Sequence, residues 1–121
     1  MSEEHTYRVL VRVMDGHDVG RDRGGIVEAY RALAAAGTGV TGVGIPGDIL
    51  YGVDQVRALV DAARAAGADT RYREIHSIKG HDAFLVEWDQ LATIVAEALA
   101  DGIARAVRAC AVPAEAVAGA A

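Results

Sequence analysis

The sequence predicts an α/β fold in which two short parallel strands alternate with helices. Residues 40–45 form an apolar run rich in β-branched side chains and bounded by glycine and proline, as expected of a buried parallel strand. Residues 70–75 alternate with charged side chains, which favours a strand exposed on one face or near a sheet edge. A helical stripe separates the two runs, and this order implies parallel pairing through a right-handed crossover.

Helices are predicted over most of the remaining chain. Four stretches have the apolar spacing of a helix: residues 7–14, 26–33, 53–63 and 91–107. Thr6 is the N-cap candidate of the first stretch, and Gly67 is the C-cap candidate of the third. Because a parallel sheet usually has more than two strands, covered on both faces, the sequence predicts an incomplete sheet from a larger α/β fold.

The composition is that of a folded protein with one small domain. The 121 residues are 52% hydrophobic and 24% charged, which argues against disorder. The net charge of −5 argues against a general nucleic-acid binder. No apolar run reaches the length of a membrane span and the amino terminus lacks a signal peptide, so the cytoplasm is the expected location.

Two residues that suit acid–base chemistry follow the two predicted strands. Asp48 comes after residues 40–45 and a Pro-Gly turn, and His81 follows the second strand. The carboxyl ends of parallel strands meet at one sheet edge, where active sites form in open α/β sheets. A catalytic histidine needs a carboxylate on its far nitrogen to fix its tautomer. We therefore predict that Asp48 orients His81.

Each residue of this region also has a structural interpretation. His81 is alternatively a loop histidine with local hydrogen bonds, and Asp48 a turn residue or the N-cap of the next helix. Asp82 is expected either to receive a substrate cation such as an amine or to cap the helix that follows it. Phe84 and Leu85 are predicted to be core residues.

A nucleophile is not evident in the sequence. In α/β-hydrolases the triad runs Ser, then Asp or Glu, then His, and the chain supplies the second and third members in that order. Neither serine of the chain, Ser2 or Ser77, lies in a Gly-x-Ser-x-Gly elbow, and Cys110 lies in the last helical pattern. A single cysteine excludes an internal disulfide, and the histidines lack metal-ligand spacing, so no bound metal or cofactor is expected.

Three blocks of the sequence resemble the carboxyl-terminal part of homoserine O-acetyltransferases, which are acyltransferases of the α/β-hydrolase fold. The blocks are residues 17–21 followed by Gly24 and Gly25, then residues 48–51, then residues 80–87, and the likeness extends roughly over residues 7–99. The resemblance implies that Asp48 and His81 are the triad aspartate and histidine, and that Asp82 holds the amino group of homoserine. The chain departs from the family pattern at Gly52 and Lys79, where proline and tyrosine are usual.

The resemblance also implies a domain organisation and an activity. Residues 1–110 would form the carboxyl-terminal portion of an α/β-hydrolase-like acyltransferase domain, followed by a flexible tail at 111–121. The implied reaction is acyl transfer from acetyl-CoA or another acyl-CoA, as co-substrate, to the hydroxyl of homoserine or a similar amino alcohol, a step of methionine biosynthesis.

The nucleophile serine, the oxyanion hole and the substrate arginine of the family lie in an amino-terminal region that this sequence does not contain. We therefore expect a complementary chain or self-association, and no nucleic-acid or membrane partner. Two alternatives remain. In the first alternative, the chain is a non-catalytic binding, regulatory or remnant module of the same fold. In the second, it is part of an α/β-hydrolase esterase.

Overall fold

A computed structural model describes residues 3 to 111 and confirms the α/β class. The elements in chain order are α1 (Glu3–Asp15), α2 (Ile26–Ala35), β1 (Val40–Gly44), α3 (Val53–Ala65), β2 (Thr70–Glu74), α4 (Ala83–Val86) and α5 (Trp88–Cys110). A 3₁₀ turn, Gly80–Asp82, precedes α4. The two strands and the long helices lie where the sequence predicts them. The helix expected after Asp82 is divided into the short α4 and the long α5.

The sheet consists of β1 and β2 in parallel, with Val40 opposite Thr70 and Gly44 opposite Glu74. The Ile75 backbone N–H donates to the Gly44 carbonyl at 3.0 Å, which extends the pairing by one step. Within residues 3 to 111 each strand is paired along one side only. A sheet of two strands needs packing against helices to be stable.

Helices α3 and α5 cover opposite faces of this sheet. Arg57 of α3 stacks over the ring of Tyr72, with 4.2 Å between the guanidinium carbon and the ring centroid. Arg73, the next residue of β2, pairs with Glu97 of α5 at 2.9 Å. Because neighbouring residues of a strand face opposite sides, the two helices sandwich the strands.

The α3 face of β1 is lined by glycine because the neighbouring side chains leave no room for a Cβ atom. A Cβ added to Gly42 would lie 2.4 Å from Val60 of α3. One added to Gly44 would lie 2.2 Å from the Tyr72 hydroxyl. The absence of side chains at Gly42 and Gly44 therefore lets α3 lie close to β1 and leaves room for the Tyr72 side chain.

A small apolar cluster lies at the carboxyl end of the strands. It consists of Ile45, Ile75, Ala83 and Ile94, of which Ile75 and Ala83 are fully buried. Ile45 follows β1 and Ile75 follows β2. Ala83 begins α4, and Ile94 belongs to α5. The cluster therefore packs the two loops that follow the strands against α5.

Helix boundaries differ from the prediction at several residues. Thr6 lies inside α1 and does not begin it, because the helix extends back to Glu3. Gly67 follows α3 with a φ of 96°, as expected of a glycine just past a helix end. The predicted tail at 111–121 lies outside the described residues except for Ala111. Among residues 3 to 111, no helix is long and apolar enough to cross a membrane.

The prediction that Phe84 and Leu85 are core residues is wrong for the described part of the chain. Their exposed fractions are 40% and 52%. Helix α4 has a single turn, and Ala83 occupies its inward position. Because successive helical residues are rotated by about 100°, the residues after Ala83 point away from the cluster.

Candidate active site

The loops after β1 and β2 bring Asp48 and His81 into direct contact, as predicted. The Oδ2 atom of Asp48 lies 2.9 Å from Nδ1 of His81, across 33 residues of sequence. The Asp48 side chain is 4% exposed and that of His81 is 33% exposed. Both residues lie at the edge formed by the carboxyl ends of the parallel strands. The imidazole thus combines a nearly buried carboxylate on one side with solvent access on the other.

Both interpretations of Asp48, as a turn residue and as the partner of His81, hold at once. Its Oδ1 atom accepts hydrogen bonds from the backbone N–H groups of Leu50 at 2.8 Å and Tyr51 at 3.0 Å. This Asx-type turn fixes the carboxylate and leaves Oδ2 for the imidazole. The predicted N-cap alternative is taken instead by Gly52, whose N–H donates to the side chain of Gln55 at 3.2 Å.

The hydrogen bonds of Asp48 keep its carboxylate ionised at neutral pH. The His81 hydrogen bond, followed by smaller contributions from the Tyr51 and Leu50 backbone N–H groups, lowers the pKa of Asp48 despite the opposing effect of burial. An ionised carboxylate accepts hydrogen bonds only, so Nδ1 of His81 holds the ring proton. The lone pair of a neutral His81 is then on Nε2, the atom that would take a proton from a nucleophile.

Two aromatic rings flank the His81 imidazole. The Tyr51 ring centroid lies 5.4 Å from that of His81, and the Phe84 ring meets it edge-on at 5.6 Å. Tyr51 belongs to the loop that also contains Asp48, and Phe84 belongs to α4, directly after the turn that contains His81.

A cavity of about 480 Å³ opens beside the pair. Its lining includes His81, Asp82 and Lys79, the only lysine of the chain, together with the apolar Ile49 and Ile78. The structure therefore brings the sequence-predicted site residues Asp82 and His81 to one cavity. Asp82 stands at the N-cap position of α4 without a side-chain cap hydrogen bond, so the capping interpretation is wrong.

The surroundings of Ser77 are those of a structural serine and not those of a nucleophile. Its hydroxyl donates to Glu87 Oε1 at 2.6 Å, and it lies in the loop after β2, away from any strand-to-helix elbow. Neither Glu87 nor its neighbour Gln90 is predicted as a functional residue, because a long-range loop contact has no periodic signal. No group of three or more potential metal ligands occurs within residues 3 to 111.

The site and the fold define an α/β protein with a carboxylate-oriented histidine at the carboxyl edge of its sheet. Comparison with known proteins gives a narrower relationship. The chain is 53% identical over 90 residues to the homoserine O-acetyltransferase of Thermus thermophilus. These 90 residues make up 74% of this chain and 22% of that protein. No family model and no solved structure matches the chain.

Other relatives have the same name. Identity is 43% over 95 residues to the homoserine O-acetyltransferase of Thermobifida fusca, covering 78% of this chain and 24% of that protein. Identity to the homoserine O-acetyltransferase of Moorella thermoacetica is 38% over 93 residues, which cover 77% of this chain and 24% of that protein. The chain is therefore related to the homoserine O-acetyltransferases, and it spans less than a quarter of the length of these relatives.

Proposed function

We propose that the chain is the histidine-bearing, carboxyl-terminal portion of a homoserine O-acetyltransferase of the α/β-hydrolase fold. It would transfer an acyl group from acetyl-CoA to the hydroxyl of homoserine together with a segment that bears the nucleophile. The observation that supports this most is the 2.9 Å contact between Asp48 and His81 in a chain whose relatives have that name. The neighbouring cavity supplies space for an acceptor beside the imidazole.

The pair suits both halves of such a reaction. In the first half, Nε2 of His81 would take the proton of the nucleophile hydroxyl as its oxygen attacks the thioester carbonyl, and would then protonate the departing CoA thiolate. In the second half, the same nitrogen would take the proton of the acceptor hydroxyl and return it to the nucleophile oxygen as the ester bond breaks. The Asp48 carboxylate would stabilise the imidazolium in each half.

The exposed apolar surface of the chain supports the proposal that a complementary segment binds it. Tyr7 of α1 is 70% exposed, and Leu99, Ile103 and Val107 of α5, spaced four residues apart, are each more than 60% exposed. Apolar faces of this kind usually mark contact surfaces. The side of β1 that pairs with no other strand among residues 3 to 111 is a further candidate contact surface. More than three quarters of each relative's length lies outside the match to this chain. We propose that a segment equivalent to that part covers these exposed surfaces.

The proposal is tested by reconstitution. The chain is mixed with a segment containing the nucleophile region of a related enzyme, and free CoA and acylated products are followed with and without homoserine. The expected result is homoserine-dependent transfer by the mixture and no CoA release by the chain alone. Transfer by the chain alone would contradict the proposal, and CoA release that ignores homoserine would identify a hydrolase instead.

Asp82 should affect the acceptor and leave acylation intact. A carboxylate that holds the ammonium group of homoserine contributes a charge-assisted hydrogen bond, for which about 1.5–3 kcal/mol is typical. In the reconstituted complex, Asp82→Ala should therefore raise the KM for homoserine by roughly 10- to 100-fold. The initial CoA burst should be unchanged.

Asp89→Ala is the matched control, because Asp89 is an exposed carboxylate in the first turn of α5 and does not line the cavity. It should leave both the burst and the homoserine dependence unchanged. An unaltered homoserine KM in Asp82→Ala would remove the acceptor role from Asp82 without affecting the Asp48–His81 pair.

A further inference from the structure

The loop between β2 and His81 is attached to the start of α5 by side chains that no catalytic role requires. The side-chain amide of Gln90 makes two hydrogen bonds to the backbone of His76. Its Oε1 atom accepts from the His76 N–H at 3.0 Å, and its Nε2 donates to the His76 carbonyl at 2.9 Å. Such a two-point contact fixes the orientation of a peptide as well as its position.

A second attachment follows one residue later. The Ser77 hydroxyl donates to Glu87 Oε1 at 2.6 Å and accepts from the Lys79 N–H at 3.2 Å. The short hydroxyl-to-carboxylate distance is typical of a charge-assisted bond. Gln90 Nε2 lies 3.5 Å from Glu87 Oε2, which is at the limit of a hydrogen bond. Glu87 and Gln90 thus hold the first half of the loop as one unit.

The second half of the loop turns directly into His81. Gly80 has a φ of 58°, a conformation that glycine adopts without strain. His81 follows in the 3₁₀ turn, and Ala83, two residues on, is fully buried in the apolar cluster. The tip residue Ile78 is 99% exposed and has no packing to hold it. The position of His81 therefore depends on the attachments at residues 76–79 and on the burial of Ala83.

We propose that Glu87 and Gln90 are positioning residues that set the placement of His81 relative to Asp48. Neither side chain lines the cavity, and the hydrogen bond that the His81 imidazole makes among residues 3 to 111 is to Asp48, not to Glu87 or Gln90. Their contribution is to restrict the loop so that Nδ1 stays on the Asp48 carboxylate and Nε2 stays directed outward. A misplacement of about 1 Å in a catalytic group is enough to cost roughly 100-fold in rate. The effect on activity rests on the proposed function, whereas the effect on the pair does not.

The test replaces Gln90 in two ways. Gln90→Met keeps the length of the side chain and removes both hydrogen bonds, while Gln90→Glu keeps an acceptor for the His76 N–H and loses the donor. In the full chain labelled with ¹⁵N-histidine, the Nδ1–H resonance of His81 reports its hydrogen bond to Asp48 and is assigned by its loss in His81→Ala. We expect its exchange with water to accelerate at least tenfold in Gln90→Met. The acceleration should be at least as large in Gln90→Glu, because the second carboxylate oxygen would face the His76 carbonyl and the Glu87 carboxylate.

Thr93→Val is the control, because the Thr93 hydroxyl makes a hydrogen bond to the Asp89 carbonyl on the same helix and does not contact the loop. It should leave the resonance unchanged. In the reconstituted complex, Gln90→Met should lower kcat by roughly 10- to 100-fold with little change in either KM. Unchanged exchange in both Gln90 variants, with circular dichroism showing a folded chain, would overturn the positioning role. If the wild-type complex transfers no acyl group, the proposed function fails. The exchange of the His81 resonance still tests the positioning role in that case, so the two failures can be told apart.

Discussion

Replacing His81 by alanine should abolish both half-reactions in the reconstituted complex. The same Nε2 atom is proposed to deprotonate the nucleophile and then the acceptor, so no step proceeds without it. We expect the CoA burst and the transfer rate each to fall by at least about a thousandfold, as losses of a base that acts with a nucleophile generally do. Rapid-mixing measurement of free CoA follows the first half, and O-acetylhomoserine formation follows the second.

His76→Ala is the control for this variant. His76 lies in the same loop with an exposed side chain, and the Gln90 contacts to it involve its backbone only. Its replacement should leave both half-reactions within a few fold of the wild type. If His81→Ala retained a normal burst and lost only the transfer, a different base would serve acylation and the single-base account would fail.

Replacing Asp48 by asparagine should cost up to about ten-thousandfold in kcat, the loss seen for the equivalent change in a serine protease. The asparagine carbonyl can still accept the Leu50 and Tyr51 N–H groups, so the turn after β1 should be preserved. Its amide then presents an N–H to Nδ1 of His81. That bond stabilises the tautomer with the proton on Nε2, which cannot act as a base.

Asp54→Asn is the matched control, because Asp54 is exposed in the first turn of α3, a few residues further along the chain. Circular dichroism and the free energy of unfolding should show that Asp48→Asn remains folded. A folded Asp48→Asn variant with kcat within tenfold of the wild type would show that Asp48 is a turn residue without a role in orienting His81.

The contact between Asp48 and His81 was predictable because it depends on a general property of parallel sheets. Residues that follow two adjacent parallel strands lie at the same edge. The runs at 40–45 and 70–75 placed the two strands, and the helical stripe at 53–63 indicated that they are parallel. The Asx-type turn was likewise foreseeable, since an aspartate after Pro-Gly favours one.

Other features depended on tertiary contacts that have no local signal. The attachment of Gln90 to His76 joins residues 14 positions apart in a loop and a helix, and nothing in the spacing of apolar residues indicates it. The exposure of Phe84 and Leu85 follows from Ala83 occupying the inward position of a one-turn helix, a register that the apolar run at 83–86 leaves undetermined.

The measurement that tests the central claim most directly is the location of the acyl group in the reconstituted complex. The complex is mixed with acetyl-CoA in the absence of homoserine, quenched in acid and digested, and the acetylated peptide is identified by mass spectrometry. The account predicts an acetyl ester on a serine of the complementary segment, an unmodified chain, and no ester when His81 is replaced by alanine. An acetyl group on Ser77 or Cys110 of this chain, formed at the rate of the CoA burst, would contradict it.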